Sequence, residues 1–320
     1  MSAVAGSRAL VTGAAGFVGR YLVGALTHRG WNVTGAALAP VAELCDPGAQ
    51  WVYGDLRDPA HVEDALRVAQ PDLVIHLAGI SHLPTAAQDP VMAWDVNVTA
   101  TVRLLHALAQ AHTVGRLAPR VLVIGSAEQY GRHEEPAVRL TEAHPLAPRT
   151  VYAATKMAQE VAALQTWRAT GLPVIAVRSF NHSGAGQSPH FLLPALVARA
   201  LALRDAPAGT PLVLGNSTPI RDFLHVRDVV DAYIALGQHG ESGTVYNVAS
   251  GVGRSVREVA ERILARVGLD APLYEDPALR RPVDVPSLVG DPTRMASVTG
   301  WRPTRTFDDL LDDLLHAATH

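Results

Sequence analysis

Thr12-Gly13-Ala14-Ala15-Gly16-Phe17-Val18-Gly19 is the stretch whose reading decides the fold. It joins an apolar run, Arg8–Thr12, to a segment with helical spacing, Phe17–Arg29. Glycines 13, 16 and 19 remove Cβ atoms at a turn from strand to helix. Backbone N–H groups at the helix start can then approach a pyrophosphate. Taken alone, a tight turn without a ligand explains the same glycines, so the units that follow must decide.

Those units repeat. Trp31–Gly35, Gln50–Tyr53, Leu73–Leu77, Arg120–Gly125 and Pro173–Val177 read as further strands, with helices predicted at Pro59–Val68, Met92–His112 and Val151–Thr170. Alternation of this kind predicts an α/β fold, a doubly wound parallel Rossmann sheet with helices on both faces. Beyond Phe180 the pattern changes to Gly-, Pro- and Ser-rich loops. Helices are predicted near Leu192–Leu203, Val256–Val267 and Phe307–Ala317, and strands at Leu212–Leu214 and Val245–Val248. The expected division is a dinucleotide-binding domain over 1–180 and a smaller α/β substrate lobe over 181–320, with interleaving of the two left open.

Composition narrows the function. The 320 residues are 48% hydrophobic and 18% charged with a formal charge of -3, which disfavours a nucleic-acid partner. Cys45 is the only cysteine, so no internal disulfide forms and a reducing compartment is expected. No signal-like or membrane-length apolar segment appears, and the expectation is a cytoplasmic protein.

Two further groups of residues carry chemistry. Asp55-Leu56 after the third strand and Leu77-Ala78-Gly79 after the fourth suit a nearby cofactor, although Asp55 alone is more often a helix-capping or turn residue, with Asp58-Pro59 nearby as the better cap signal. The second group is Tyr152-Ala-Ala-Thr-Lys156 with Ser126 ending the fifth strand. A spacing of four sets tyrosine and lysine on one helix face, where an ammonium is expected to lower the phenol pKa and make it a general acid or base. Ser126 can hydrogen-bond the same substrate oxygen. At the end of the second strand, Gly35-Ala36-Ala37-Leu38 shows neither the acid usual for NAD nor a basic group for NADP. Arg20 reads either as that charge or as a solvated helix residue, so both cofactors stay open.

At this point the chain resembles the extended short-chain dehydrogenase/reductases, specifically the NAD-dependent epimerase/dehydratase family of nucleotide-sugar enzymes. The resemblance rests on TGAAGFVG, GDLRD, HLAG, YAATK, Asp95-Val96-Asn97-Val98, Gly125–Gly131, Arg178–His182, Arg221–Asp228 and Tyr246–Gly251. It implies that Gly13, Gly16, Phe17, Val18, Gly19, Asp55, Leu56, Leu77, Ala78, Gly79, Tyr152 and Lys156 bind NADP or NAD. Ser126, Tyr152 and Lys156 would carry hydride chemistry at sugar C4, with Asn97 supporting the active-site helix. Asn181, Arg221 and Arg281 would contact a nucleotide-diphosphate sugar together with Ser126, since guanidinium forks suit phosphate oxygens, although each arginine taken alone reads more readily as an ion pair with a nearby acid.

The runs Asn181–Pro189 and Leu279–Pro286 are most similar to GDP-4-keto-6-deoxymannose reductases and GDP-mannose 4,6-dehydratases. That implies a GDP-linked substrate and, as the favoured reaction, C4 reduction to a GDP-rhamnose-type product. Glu128 matches a dehydratase base, but Ala127 stands where dTDP-glucose dehydratases pair it with a second acid. Dehydration and C4 epimerisation stay open as alternatives. A catalytically inactive dinucleotide sensor is a different class, disfavoured by the tyrosine–lysine pair. His182 reads as either a site or a packing residue. The resemblance also implies a homodimer through Met92–His112 and Val151–Thr170.

Overall fold

Strand β1 (Arg8–Thr12) is buried on both faces, and its alternate side chains enter two different cores. Ala9 and Val11 face one, Leu10 the other. The same alternation holds for β4 (Leu73–His76), β5 (Arg120–Ser126) and β6 (Val174–Ser179), as expected of parallel strands covered on both sides. The computed structural model describes residues 6–40, 46–133, 138–280 and 284–319. Cys45 and Arg281 lie outside them.

With β2 (Asn32–Ala37), β3 (Gln50–Tyr53) and β10 (Val245–Val248), these strands form one parallel sheet in the order β10-β6-β5-β4-β1-β2-β3. The order reverses between β1 and β4, which opens a crevice at the carboxyl ends of the strands. Helix α1 (Phe17–His28) packs on one face through Leu22, Val23 and Leu26, each fully buried and each contributing roughly 1.5–3 kcal/mol. On the other face lie α2 (Pro59–Ala69), α5 (Ala100–Thr113) and α6 (Val151–Thr170). Asp58 caps α2 by accepting the Ala60 N–H at 2.9 Å.

The single helix expected over Met92–His112 is interrupted. After α3 (Leu83–Gln88) come α4 (Pro90–Trp94), a π-type turn at Asp95–Thr99 and then α5. The extra residue in that turn brings Asn97 inward. Its side chain accepts from Ile80 N at 2.7 Å and donates to Ile80 O and to Thr155 Oγ1, so the loop after β4 is bound to α6.

Beyond β6 the chain leaves the main sheet and then returns to it. Strand β9 (Ile220–His225) pairs with β7 (Asn181–Ser183), β11 (Gly253–Ser255) and β13 (Ser287–Leu288), while β8 (Leu212–Leu214) pairs with β12 (Leu273–Glu275). Helices α7 (Leu192–Ala202), α9 (Val256–Val267) and α11 (Phe307–Thr319) close a third core. Between them, α8 (Val226–His239) packs on α1, β10 joins β6, and α10 (Thr293–Thr299) covers them through Met295. Within 226–248, α8 therefore packs on the main sheet and β10 joins it, although both follow Phe180 in the chain. Among the described residues, no helix is long and apolar enough to cross a membrane, and no cluster of three metal-ligating side chains occurs.

Candidate active site

The crevice at the strand ends is a cleft of about 830 Å³, running from the glycine turn past β2 and β4 to Ser126, Tyr152 and Asn181. The glycine turn forms one end. Gly13 has φ +68, and a Cβ there would meet the Ala78 backbone at 2.8 Å, so the turn and the loop after β4 touch. A Cβ on Gly19 would strike the carbonyl oxygens of Gly13 and Ala14, which sets how closely α1 can follow the turn. Gly16 caps α1 without a side-chain hydrogen bond, and it lines the cleft with Phe17, Val18 and Gly19 of the helix start.

Further along, Asp55, Leu56, Leu77, Ala78 and Gly79 line the cleft. Asp55 accepts from Arg57 N at 2.8 Å, Nε at 2.9 Å and Nη2 at 2.6 Å, and the guanidinium bonds hold its carboxyl below the usual range. Ala36, Ala37, Leu38 and Ala39 bring no carboxylate to the end of β2. Arg20 turns elsewhere, donating to Gly186 O at 3.1 Å.

At the reacting end, Ser126 closes β5 and caps the short turn Ala127–Tyr130, its hydroxyl accepting from Glu128 N at 3.2 Å. Tyr152, one turn ahead of Lys156 on α6, lines the cleft with Ser126. Lys156 Nζ donates to Ile124 O at 2.9 Å. The expected lowering of the phenol pKa is not what the structure shows. Burial pushes Tyr152 up to about 12, the Ser126 bond drawing it back and the Glu128 charge pushing further. Lys156 itself falls by burial to about 8. The reason is placement, since the ammonium is tied to the Ile124 carbonyl of β5 and burial dominates at the phenol. The result is a neutral phenol, a proton donor.

Behind the lysine lies buried His76, whose ring nitrogens bond Thr12 Oγ1 at 2.7 Å and Thr101 Oγ1 at 2.8 Å. Burial, with the Lys156 charge, brings it down to about 3, so it is neutral. On the second-lobe side, Asn181 lines the cleft and is exposed. His182 also lines it, stacked on Phe17 with centroids 6.4 Å apart and held by Phe180 O at 2.9 Å. Arg221 stands apart: buried, it donates to Asp284 Oδ1 at 2.9 Å and to Ile220 O, and does not line this cleft.

A family model described as GDP-mannose 4,6 dehydratase matches residues 10–314. The chain belongs to that family. It is similar to GDP-6-deoxy-D-mannose reductase of Pseudomonas aeruginosa, with 34% identity over 96% of each chain. Among solved structures it is similar to RMD from Pseudomonas aeruginosa complexed with NADPH, at TM-score 0.83 and 31% identity over 98% of this chain and 99% of that one. UDP-glucose 4-epimerase of Thermus thermophilus in complex with NAD is similar at TM-score 0.86 and 28% identity over the same shares.

Within this GDP-mannose 4,6-dehydratase-family chain, the sequence reading missed a second hydroxyl pair. Tyr233 of α8 is fully buried, lines the cleft and donates to Ser179 Oγ at 2.9 Å. Ser179 is the register partner of Ser126 on the neighbouring strand. The signal existed in α8, where Val226, Val229, Val230, Tyr233, Ile234 and Gly237 recur at helical spacing.

Proposed function

We propose that this protein reduces the C4 keto group of a 4-keto-6-deoxy nucleotide sugar, GDP-linked, with NADP(H) or NAD(H) as cofactor. The observation that carries this reading is the neutral Tyr152 phenol, buried where Ser126 and Lys156 also line the cleft. A carbonyl being reduced needs a proton at its oxygen, and a phenol held protonated up to about 12 can give one. The likeness to a GDP-6-deoxy-D-mannose reductase supports the same direction.

The residues fit a dinucleotide. The glycine turn and the uncapped start of α1 line the cleft where a pyrophosphate would lie, and Leu56, Ala78 and the end of β2 form an apolar wall. Bound there in reduced form, a nicotinamide would supply the hydride that C4 reduction needs. Tyr152 gives its proton to the C4 oxygen, so that carbonyl, hydride and proton become an alcohol, and the phenolate then regains a proton. Ser126 orients that oxygen, and the Lys156 ammonium offers donors to ribose hydroxyls. Asn181 contacts the sugar or its phosphate. No carboxylate among Ala36–Pro40 opposes a 2′-phosphate, which accommodates NADP as well as NAD.

A specific observation favours one second reading. Glu128 lines the cleft close enough for its charge to act on Tyr152, as a base at C5 of a dehydratase would. The deciding experiment gives the purified protein GDP-4-keto-6-deoxymannose with NADPH or NADH, and separately GDP-mannose with oxidised cofactor. Reduction predicts loss of the reduced-nicotinamide absorbance in the first mixture. Conversion only in the second, without net cofactor use, would replace this reading by dehydration.

The same proposal includes a cytoplasmic homodimer joined through α4, α5 and α6, where Met92, Trp94, Val102 and Val161 are exposed. A monomeric mass by light scattering would count against the dimer.

A further inference from the structure

The stripe of α6 that carries Tyr152 and Lys156 continues one turn further, at the same spacing of four, to Glu160. Its carboxylate is buried and both oxygens are engaged. Arg178 of β6 donates Nη2 to Oε1 at 2.7 Å and Nε to Oε2 at 2.8 Å, and Gln129 Nε2 donates to Oε2 at 2.8 Å. The other end of the Gln129 amide accepts the backbone N–H of Ser126 at 2.9 Å. A Cβ on Gly125 would collide with that amide and, at 2.7 Å, with Val177 O, so the glutamine lies directly on the strand end. Arg178 also donates to Tyr130 Oη at 3.0 Å, and Tyr130 donates to Asn247 Oδ1 on β10 at 2.7 Å.

A buried ion pair of this kind is weak evidence for stability, because apolar residues can fill such a space at equal or lower cost. Its distinguishing property is direction. The carboxylate fixes which way the Gln129 amide points, and that amide holds the N–H of Ser126, which lines the cleft with Tyr152.

We propose that Glu160, oriented by Arg178, is a positioning residue for the reaction: through Gln129 it sets the Ser126–Glu128 turn against α6 and so aims the Ser126 hydroxyl at Tyr152. This inference rests on the reduction proposed above for its kinetic readout. It also has a readout that needs no substrate.

Two variants test it. Gln129→Met removes both amide contacts and buries no new charge. The double variant Glu160→Met with Arg178→Met replaces the ion pair by an apolar pair. In each, kcat for GDP-4-keto-6-deoxymannose is expected to fall roughly 10- to 100-fold, the loss typical of a small misplacement, with KM and cofactor affinity changed less than about threefold. The double variant is expected to keep its unfolding midpoint, a separation that a merely structural role would not produce. Amide exchange in Gln129→Met should rise in the segment 126–131 and stay unchanged elsewhere.

Parental kcat in Gln129→Met would overturn the proposal. So would losses that track a lowered folded fraction in Gln129→Met, whether or not the double variant folds. Should the parent protein fail to reduce the keto sugar, the functional reading falls separately. Exchange then decides, and an unchanged rate over 126–131 would overturn the positioning role.

Discussion

Lys156 donates its ammonium to the Ile124 carbonyl at 2.9 Å, so the lysine is anchored to the strand that ends in Ser126. Burial brings this ammonium down to about 8 while Tyr152 rises to about 12. Lys156 therefore carries charge below about pH 8 and loses it above, whereas the phenol stays protonated through that range. The rate of keto-sugar reduction is expected to decline as pH rises through about 8. Lys156→Arg, whose guanidinium does not titrate there, should shift that decline upward in a pH profile of kcat/KM.

Tyr152→Phe should lose roughly 10²–10⁴ in kcat while retaining cofactor binding measured by fluorescence titration. Glu128→Gln should cost less than about tenfold, under about 1.4 kcal/mol, in reduction. Loss of activity by several orders of magnitude in Glu128→Gln would point to dehydration. Ligand responses unaffected by Tyr152→Phe would point to a sensor.

His76 makes stability depend on pH. Its folded pKa of about 3 lies below the ordinary 6.5, so between these values the unfolded chain binds a proton that the folded chain does not. Its contribution is fully present above about pH 6.5 and is lost as pH falls toward about 3, at up to about 1.4 kcal/mol per pH unit. His76→Gln should flatten this one-proton slope in urea unfolding compared at about pH 7 and about pH 5.

Two glycines of α1 should answer oppositely to alanine. At Gly19 the new methyl meets the Gly13 and Ala14 carbonyls, and a loss of about 1–3 kcal/mol is expected, with weakened cofactor binding. At Gly24 the nearest atom is Asp46 Oδ2 at 3.6 Å, ordinary contact, and a gain of about 0.5–1 kcal/mol is expected. Denaturant unfolding of the two variants checks both signs.

Much of this architecture is local and therefore legible in the sequence. The β3 range, α6 and α9 stand where the pattern predicts them, because alternating or helically spaced apolar residues specify which face must be buried. The glycine turn and the Tyr152–Lys156 spacing are legible for the same reason. Other features were local but went unread. Helix α8 follows β9 without a loop, so its apolar spacing merges with the strand's. The π-type turn before α5 changes the helical phase by one residue, which a single long helix conceals.

By itself the sequence determined the alternation of strands and helices, the glycine turn and the presence of a phenol one helical turn from an amine. Only the tertiary structure decided which partners the polar groups take. Arg221 meets Asp284, 63 residues away, and leaves the cleft; Tyr130 meets Asn247, 117 residues away; and His76 lies between Thr12 and Thr101. It also decided that burial pushes the Tyr152 phenol up, since a pKa follows burial and neighbouring groups rather than spacing along a helix. The physical reason is range: backbone periodicity acts over a few residues, whereas desolvation and charge pairing depend on segments that meet only once the chain has folded.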